Sequence, residues 1–282
     1  MSDLRSAEPL SGVGILVTRP RQQSQALLRR LGGIGARPLC FPLLVIEPLP
    51  LPAPAELCGA SGARSRMAWT DLLRRLDSCV FTSVNAVQHA RPLVDALSAA
   101  CAAGHGPRVA AVGQATAAAL QRSGIEDVIT PATSSDSEGL LEALAGALPS
   151  AAQVLLVGGE GGRRLLDQAL LARGARVLRL AAYRRRRPCQ DLNTFLDRHA
   201  AEIQMILTSS GEALDNLLDL AAPRWRPWLL QRPLVVSHTR HLQRCRRLGF
   251  QGPVRAATSM SDPALLEALR ELWCDVGSRR AT

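Results

Sequence analysis

The chain has 282 residues, enough for two domains of roughly 100–200 residues each, and at 47% hydrophobic but 3% aromatic its cores must be built from Leu, Ala and Val. A formal charge of +10 favours an anionic partner. All 34 basic residues are Arg, which excludes Schiff-base catalysis through a lysine amine and a phosphate loop of the Walker type.

In chain order, MSDLRSAEPL (1–10) is polar and lacks the apolar stretch of a secretory signal. Val13–Val17 reads as a short buried strand, and Pro20 sits in the first turn of the helix that follows. Leu27, Leu28 and Leu31 share one face of that helix, and Gly32-Gly33 marks its end. PLCFPLLVIEP (38–48) is an extended run, and PLPLPAPAELCGASGARSR (48–66) is a Pro-, Gly- and Ala-rich excursion. CVFTSVNAVQHA (79–90) is a strand that stops at Thr82-Ser83 and turns into a helix carrying Asn85. VAAVGQATAAALQRSGI (109–125) repeats the plan around Gly113, and Ser135 with Glu138 offers a capping box. VLLVGGEGGRRLLDQALLARGAR (154–176) places Gly158-Gly159 at a strand end, and RVLRLAAYRRRRP (176–188) is a second extended run. MILTSSGEALDNLL (205–218), LVVSHTRHLQRCRRLGF (234–250) and SMSDPALLEAL (259–269) bring three further turns, the last with Asp262 as cap and Pro263 behind it. The seven cysteines are scattered and never form C-x-x-C, which argues for a reducing, cytoplasmic setting and against a disulfide framework or zinc site. No window approaches the roughly 18 apolar residues of a membrane span.

These pieces echo one another. Thr82-Ser83 recurs as Thr208-Ser209, 126 positions on, while Gly124 and Gly249, and the LLEAL segments from Leu140 and Leu265, lie 125 apart. Gly35-Ala36-Arg37 recurs as Gly174-Ala175-Arg176 at a different offset, 139. The chain therefore contains a repeat of four strand–turn–helix pieces. Alternating short strands and helices predict an α/β fold of two similar domains, each a parallel sheet flanked by helices. The extended runs 38–48 and 176–188 both follow a Gly-Ala-Arg turn, so two strands could join discontinuous domains; a tandem split near residue 150 is equally compatible with the residues alone.

In open parallel sheets ligands sit at the carboxyl ends of strands, where helix N-termini present unpartnered N–H groups and partial positive charge. Such turns accept carboxylate or phosphate, and small residues let the anion reach the backbone. Thr18-Arg19, Thr82-Ser83, Gly113, Gly158-Gly159 and Thr208-Ser209-Ser210 are the candidate anion-binding turns, and two facing units would aim several into one cleft. Each hydroxyl taken singly also serves as an ordinary helix cap. Gly-Gly-Glu-Gly-Gly (158–162) lacks the register of a dinucleotide loop. His238, His241 and Cys245 share a helical face, yet packing or solvent explains them better than a metal. Arg184–Arg187 reads as a solvated run that could also touch a ligand, and Trp225 and Trp228 as loop anchors.

With these residues in view the chain resembles the uroporphyrinogen-III synthase family. The matches are I-L-V-T-R-P (15–20), F-T-S-x-N-A-V (81–87), A-V-G-x-x-T-A (111–117), the run from Gly174-Ala175-Arg176 to Tyr183, L-T-S (207–209) and V-V-S (235–237), in the family's order. The resemblance implies two α/β domains joined by a two-stranded β ladder: residues 1–40 with 184–282 as one, 41–183 inserted as the other, and 38–48 and 176–188 as linker strands. It implies cyclisation of hydroxymethylbilane to uroporphyrinogen III, with inversion of ring D and loss of water. It further implies no metal and no cofactor. The expected state is a monomer that makes transient contact with hydroxymethylbilane synthase and engages neither nucleic acid nor membrane. Carried onto this chain, the substrate-binding set becomes Thr18, Arg19, Thr82, Ser83, Asn85, Gly113, Thr116, Gly158, Gly159, Thr208, Ser209, Ser210, Ser237 and Thr239. Tyr183, the only tyrosine, is the expected catalytic residue, because a phenol keeps its proton at neutral pH and can hydrogen-bond the departing hydroxyl. One departure is the turn Ser237-His238-Thr239, which sets an imidazole where the first copy has its glycine turn. The rival readings are a non-catalytic tetrapyrrole or anion sensor on the same frame, a nucleic-acid binder and a nucleotide-dependent transferase. The last two lack a recognisable motif.

Overall fold

The computed structural model describes residues 8–59, 67–131, 137–145, 148–149, 151–162 and 165–280. Ser135 of the expected capping box, and residues 60–66 of the Pro-rich excursion, lie outside them. Strands β1 to β11 are Gly14–Val17, Arg37–Cys40, Val45–Pro48, Ser78–Phe81, Arg108–Ala111, Val128–Ile129, Gln153–Gly159, Arg176–Arg186, Met205–Thr208, Leu234–Val236 and Val254–Ala256. The chain divides into two compact units, residues 1–45 with 186–282 and residues 46–185. It passes from one to the other within β3 and again within β8.

The first unit holds a five-stranded sheet in the order β2-β1-β9-β10-β11, with every neighbouring pair parallel. Strands β1, β9 and β10 are buried along their whole length, the near-continuous apolar reading of a parallel sheet covered on both faces. Alternate residues feed two cores. Ile15, Val17, Met205, Leu207 and Val235 meet Leu27 and Leu31 of the helix Arg21–Gly33 and Leu265 and Leu269 of the helix Asp262–Arg280. Leu16, Ile206, Leu234 and Val236 meet Leu214 and Leu217 of the helix Gly211–Leu220 and Cys245 of the helix Arg240–Arg247.

The second unit holds a six-stranded sheet in the order β3-β8-β7-β4-β5-β6, parallel from β8 to β6. Strand β3 runs antiparallel against β8: Leu49 N–H donates to the Ala182 carbonyl at 3.0 Å while Glu47 pairs with Arg184. That two-stranded ladder makes this sheet mixed rather than wholly parallel. The helices Val84–His89, Arg91–Ala102 and Gln114–Gln121 pack on the face of Phe81, Val109 and Val157. The helices Ser137–Ala145 and Leu165–Ala172 pack on the face of Val80, Ala110 and Val154.

The repeat is now spatial. Written side by side, β8-β7-β4-β5-β6 and β2-β1-β9-β10-β11 are one arrangement, but the first unit begins its chain with the strand pair that the second unit reaches last. This permutation explains the two offsets. Glycines related by the repeat close the same turns: Gly35 and Gly174 have φ of 80° and 81°, Gly124 and Gly249 of 85° and 84°, a left-handed conformation that side chains with a Cβ resist. The helix Arg21–Gly33 accordingly runs through Gly32-Gly33 and is turned by Gly35, with Pro20 at the capping position before it. Ser261 takes the capping role expected of Asp262, its Oγ accepting Ala264 N–H at 3.4 Å and its carbonyl accepting Leu265 N–H at 3.0 Å.

Candidate functional site

Strand order reverses direction of growth at one place in each sheet. In the first unit this lies between β1 and β9, whose following helices cover opposite faces. In the second it lies between β4 and β7. These are the switch points at which open α/β sheets leave a crevice beyond the strand ends. The expected turns fall there: Thr18-Arg19 after β1, Thr208-Ser209-Ser210 at the end of β9, Thr82-Ser83 after β4 and Gly158-Gly159 ending β7. Gly113 and Thr116 follow β5, and Ser237 and Thr239 follow β10.

At the first unit's switch point several hydroxyls serve the fold. Thr18 is buried, and both its N–H and its Oγ1 donate to the Leu207 carbonyl, at 3.1 and 3.0 Å. Ser237 Oγ, also buried, donates to the Ser209 carbonyl at 2.8 Å, tying the turns after β9 and β10 together. Thr208 is wholly buried, and its Oγ1 has no partner. Ser210 is half-buried and caps the helix Gly211–Leu220, its Oγ accepting Ala213 N–H at 3.0 Å. Arg19 is held by Asp262 at 3.1 Å, while its buried Nε faces no acceptor. Thr239 is exposed beside His238.

The second unit's switch point is built around Tyr183 of β8. Its ring is 1% exposed, packed into the apolar core, and its hydroxyl lies 3.0 Å from Ser83 Oγ. Ser83 is half-buried and caps the helix Val84–His89 by accepting Ala86 N–H at 3.2 Å. A serine oxygen has two lone pairs and one proton. Ser83 Oγ accepts Ala86 N–H; when the phenol donates to it as well, the serine keeps its own proton for a third group, and when the serine donates to the phenol it does not. The two glycines of β7 make room for this pair. A Cβ on Gly159 would stand 2.7 Å from Tyr183 Cζ, and one on Gly158 would stand 2.7 Å from Thr82 Oγ1, which itself bonds the Val157 carbonyl at 3.3 Å. The register shift between Gly158 and Gly159 marks the same spot. Thr116 is buried within its helix, whereas Asn85 and Gly113 are half-buried at helix starts.

The Tyr183 ring is buried, and its hydroxyl shares a hydrogen bond with Ser83. No pattern in the sequence pointed to Asp262 as Arg19's partner, to Gly159 as clearance for the phenol, or to His89 beside Tyr183 at 6.1 Å between ring centroids. Each depends on residues brought together from distant strands. The arginine run resolves into structural pairs. Arg184 grips Glu47 through two bonds of 2.9 and 2.8 Å, and that carboxylate raises the guanidinium's already high pKa. Arg187 bonds Asn216 at 3.1 Å and Asp219 at 2.6 Å.

Among the described residues no three His, Cys, Asp or Glu side chains gather as a metal site. Burial pushes the Cys245 thiol up to about 11 and raises Cys79 further, so neither is a ready thiolate. Trp225 and Trp228 pack edge to face at 5.6 Å, as loop anchors do. No helix among the described residues is long and apolar enough to cross a membrane.

Comparison with known proteins agrees with this architecture. A family model described as Uroporphyrinogen-III synthase HemD matches residues 24–266. The uroporphyrinogen-III synthases of Salmonella typhimurium and Escherichia coli K12 are 30% and 31% identical, over 92% of this chain and 100% of theirs. Crystal structures of uroporphyrinogen III synthase from Thermus thermophilus and of uroporphyrinogen-III synthetase from Helicobacter pylori share the fold. Their TM-scores are 0.58 and 0.54, at 18% and 16% identity, over 93% and 92% of this chain and 99% of each of theirs. With the family model spanning most of the sequence and both sheets accounted for, the chain belongs to the uroporphyrinogen-III synthase family.

Proposed function

We propose that the chain cyclises hydroxymethylbilane, a linear tetrapyrrole bearing acetate and propionate groups on every ring, to uroporphyrinogen III. As a member of its family the chain is an enzyme of tetrapyrrole biosynthesis. The observation that carries the mechanism is the 3.0 Å contact between Ser83 Oγ and the Tyr183 hydroxyl, at an oxygen that also accepts Ala86 N–H. In this reading Ser83 Oγ–H donates to the hydroxymethyl oxygen and is reprotonated by Tyr183. The C–O bond breaks with its electron pair leaving as water, and a resonance-stabilised azafulvene cation remains. The last pyrrole attacks through its substituted carbon to give a spiro intermediate, which fragments and recloses inverted. The ring carbon then loses its proton, which restores the phenol, so the net change is loss of one water.

Holding the bilane in the pose that favours inversion over direct closure is the larger part of the task. We assign it to the switch-point turns: Arg19 and the backbone N–H groups after Ser210 in the first unit, and Thr82, Asn85, Gly113, Gly158 and Gly159 in the second. Thr18, and Ser237 through the Ser209 carbonyl, act by fixing those turns, while Thr116 and Thr208 are buried behind them. The chain works as a cytoplasmic monomer that receives its substrate from hydroxymethylbilane synthase. The test couples purified protein to an enzyme that makes hydroxymethylbilane and separates the oxidised porphyrin isomers. Uncatalysed closure gives the type I isomer, so enrichment in type III is expected. A product of type I alone would reject the proposal.

A further inference from the structure

Arg19, just after β1, is fixed more firmly than a solvated cation needs to be. Thr18 before it is bonded three times: its N–H and Oγ1 donate to the Leu207 carbonyl, and its own carbonyl accepts Leu43 N–H at 3.1 Å. Pro20 behind it has φ of −48°, and a proline confines the residue that precedes it to extended backbone. The guanidinium is then caught by Asp262, whose Oδ1 accepts Nη1 at 3.1 Å across 243 positions of sequence. The two side chains are only 11% and 20% exposed.

Asp262 opens the helix Asp262–Arg280, where an acid ordinarily caps or complements the first turn. Here Ser261 takes the cap, and among the described residues Arg19 is the partner that bonds the Asp262 side chain. That bond uses Nη1, while Nε is buried and has no partner. Nε and Nη2 form the edge by which a guanidinium grips a carboxylate with two parallel bonds. A buried donor without an acceptor is costly, and a ligand that supplies one removes the cost.

We propose that Asp262 is a positioning residue for substrate binding: it orients Arg19 so that the Nε edge receives one carboxylate of the bilane at the first unit's switch point. The inference deepens the cyclase reading above and rests on it. Plain electrostatics predicts the opposite role for Asp262. A carboxylate beside a cation offsets its charge, so removing it should strengthen the attraction for an anion. Under the positioning role the unanchored guanidinium gains rotamers that the ligand must order again, and binding weakens. The two accounts differ in sign.

Asp262→Asn removes the charge at nearly constant shape. It should raise KM for hydroxymethylbilane roughly three- to tenfold at unchanged kcat, the upper end matching the loss expected for Arg19→Gln. Uroporphyrin III binding, read by fluorescence without turnover, should weaken by a similar factor, and Asp262→Glu should restore most of it. In an Arg19→Gln background Asp262→Asn should change neither quantity. Unchanged or tighter uroporphyrin binding in Asp262→Asn overturns the proposal, as does an equal loss with and without Arg19. Arg19→Lys leaves Asp262 in place and removes the fork; wild-type affinity in that variant overturns the proposal independently. If the wild type makes only the type I isomer while these binding changes appear, the cyclase reading fails and the acid-binding pair stands. Type III product with no change in binding has the reverse meaning.

Discussion

Gly159→Ala tests whether the phenol's position is set by the glycine beside it. The added methyl would lie 2.7 Å from Tyr183 Cζ, 2.8 Å from Cε2 and 3.1 Å from the hydroxyl, well inside the 3.5–4.0 Å of a favourable contact. The ring cannot swing clear, because it is 1% exposed and wedged in the core beside Leu180 and Ala182. Relief must come from strained strands, at about 1–3 kcal/mol for overpacking. Loss of the Ser83–Tyr183 hydrogen bond adds about 0.5–1.5 kcal/mol. Urea unfolding should therefore find Gly159→Ala destabilised by about 2–4 kcal/mol. Turnover should fall with it, since the donor has moved. In a Tyr183→Leu background the methyl has room, and the same substitution should cost within about 0.5 kcal/mol of nothing, leaving a coupling energy of about 2–4 kcal/mol. An equal cost in both backgrounds would refute the reasoning, because the methyl would then be meeting something other than the ring.

Arg19→Gln should raise KM about tenfold and leave kcat unchanged if the orphaned Nε receives a substrate carboxylate; an unaltered KM would reduce Arg19 to a strut for Asp262. Gly35→Ala and Gly174→Ala each force a Cβ into a left-handed turn at about 1 kcal/mol, but only Gly35 would also meet Ser11 Oγ, at 2.9 Å. Urea unfolding should rank Gly35→Ala as the worse, and the reverse order would contradict the geometry. Asp191 caps the helix Leu192–His199, and its carboxyl is held well below the usual range by the Thr194 hydroxyl, then by the Thr194 N–H and by Asn193. A depressed folded pKa gives stability that is complete above the unfolded value near 4 and drains away as pH falls through the lower folded one. The stability gap between wild type and Asp191→Asn should thus narrow below about pH 4, and a gap independent of pH would exclude the charged cap.

The repeat was legible because it rests on short apolar strands followed by small residues, a pattern that survives in one dimension. Thr82 and Thr208 end matching strands, and Gly124 and Gly249 close matching turns. Even the odd offset of the Gly-Ala-Arg pair carried information, since it reflects a permuted strand order. What a hydroxyl does at a strand end was not legible. Thr18 bonds a carbonyl 189 positions away and Ser237 one 28 away, so their partners depend on which strands come to lie side by side. Tyr183 shows the limit best. It stands directly before four arginines that read as a solvated run, yet the ring is buried in the core where β7 pairs with β8 and the register shifts at Gly158/Gly159.

The permuted chain order bears on how the protein is made. Ile15 and Leu16 pair with Met205 and Ile206, so an apolar strand made among the first twenty residues waits for a neighbour that the ribosome delivers only after the whole of residues 46–185. At about 5–20 residues per second that interval alone lasts roughly 10–30 s. The second sheet, by contrast, receives all its parallel strands in one uninterrupted stretch. A nascent chain from which residues up to Arg186 have emerged would hold every parallel strand of that sheet while the Gly14–Val17 segment still lacked its central partner, and shielding that segment is where a chaperone would matter most.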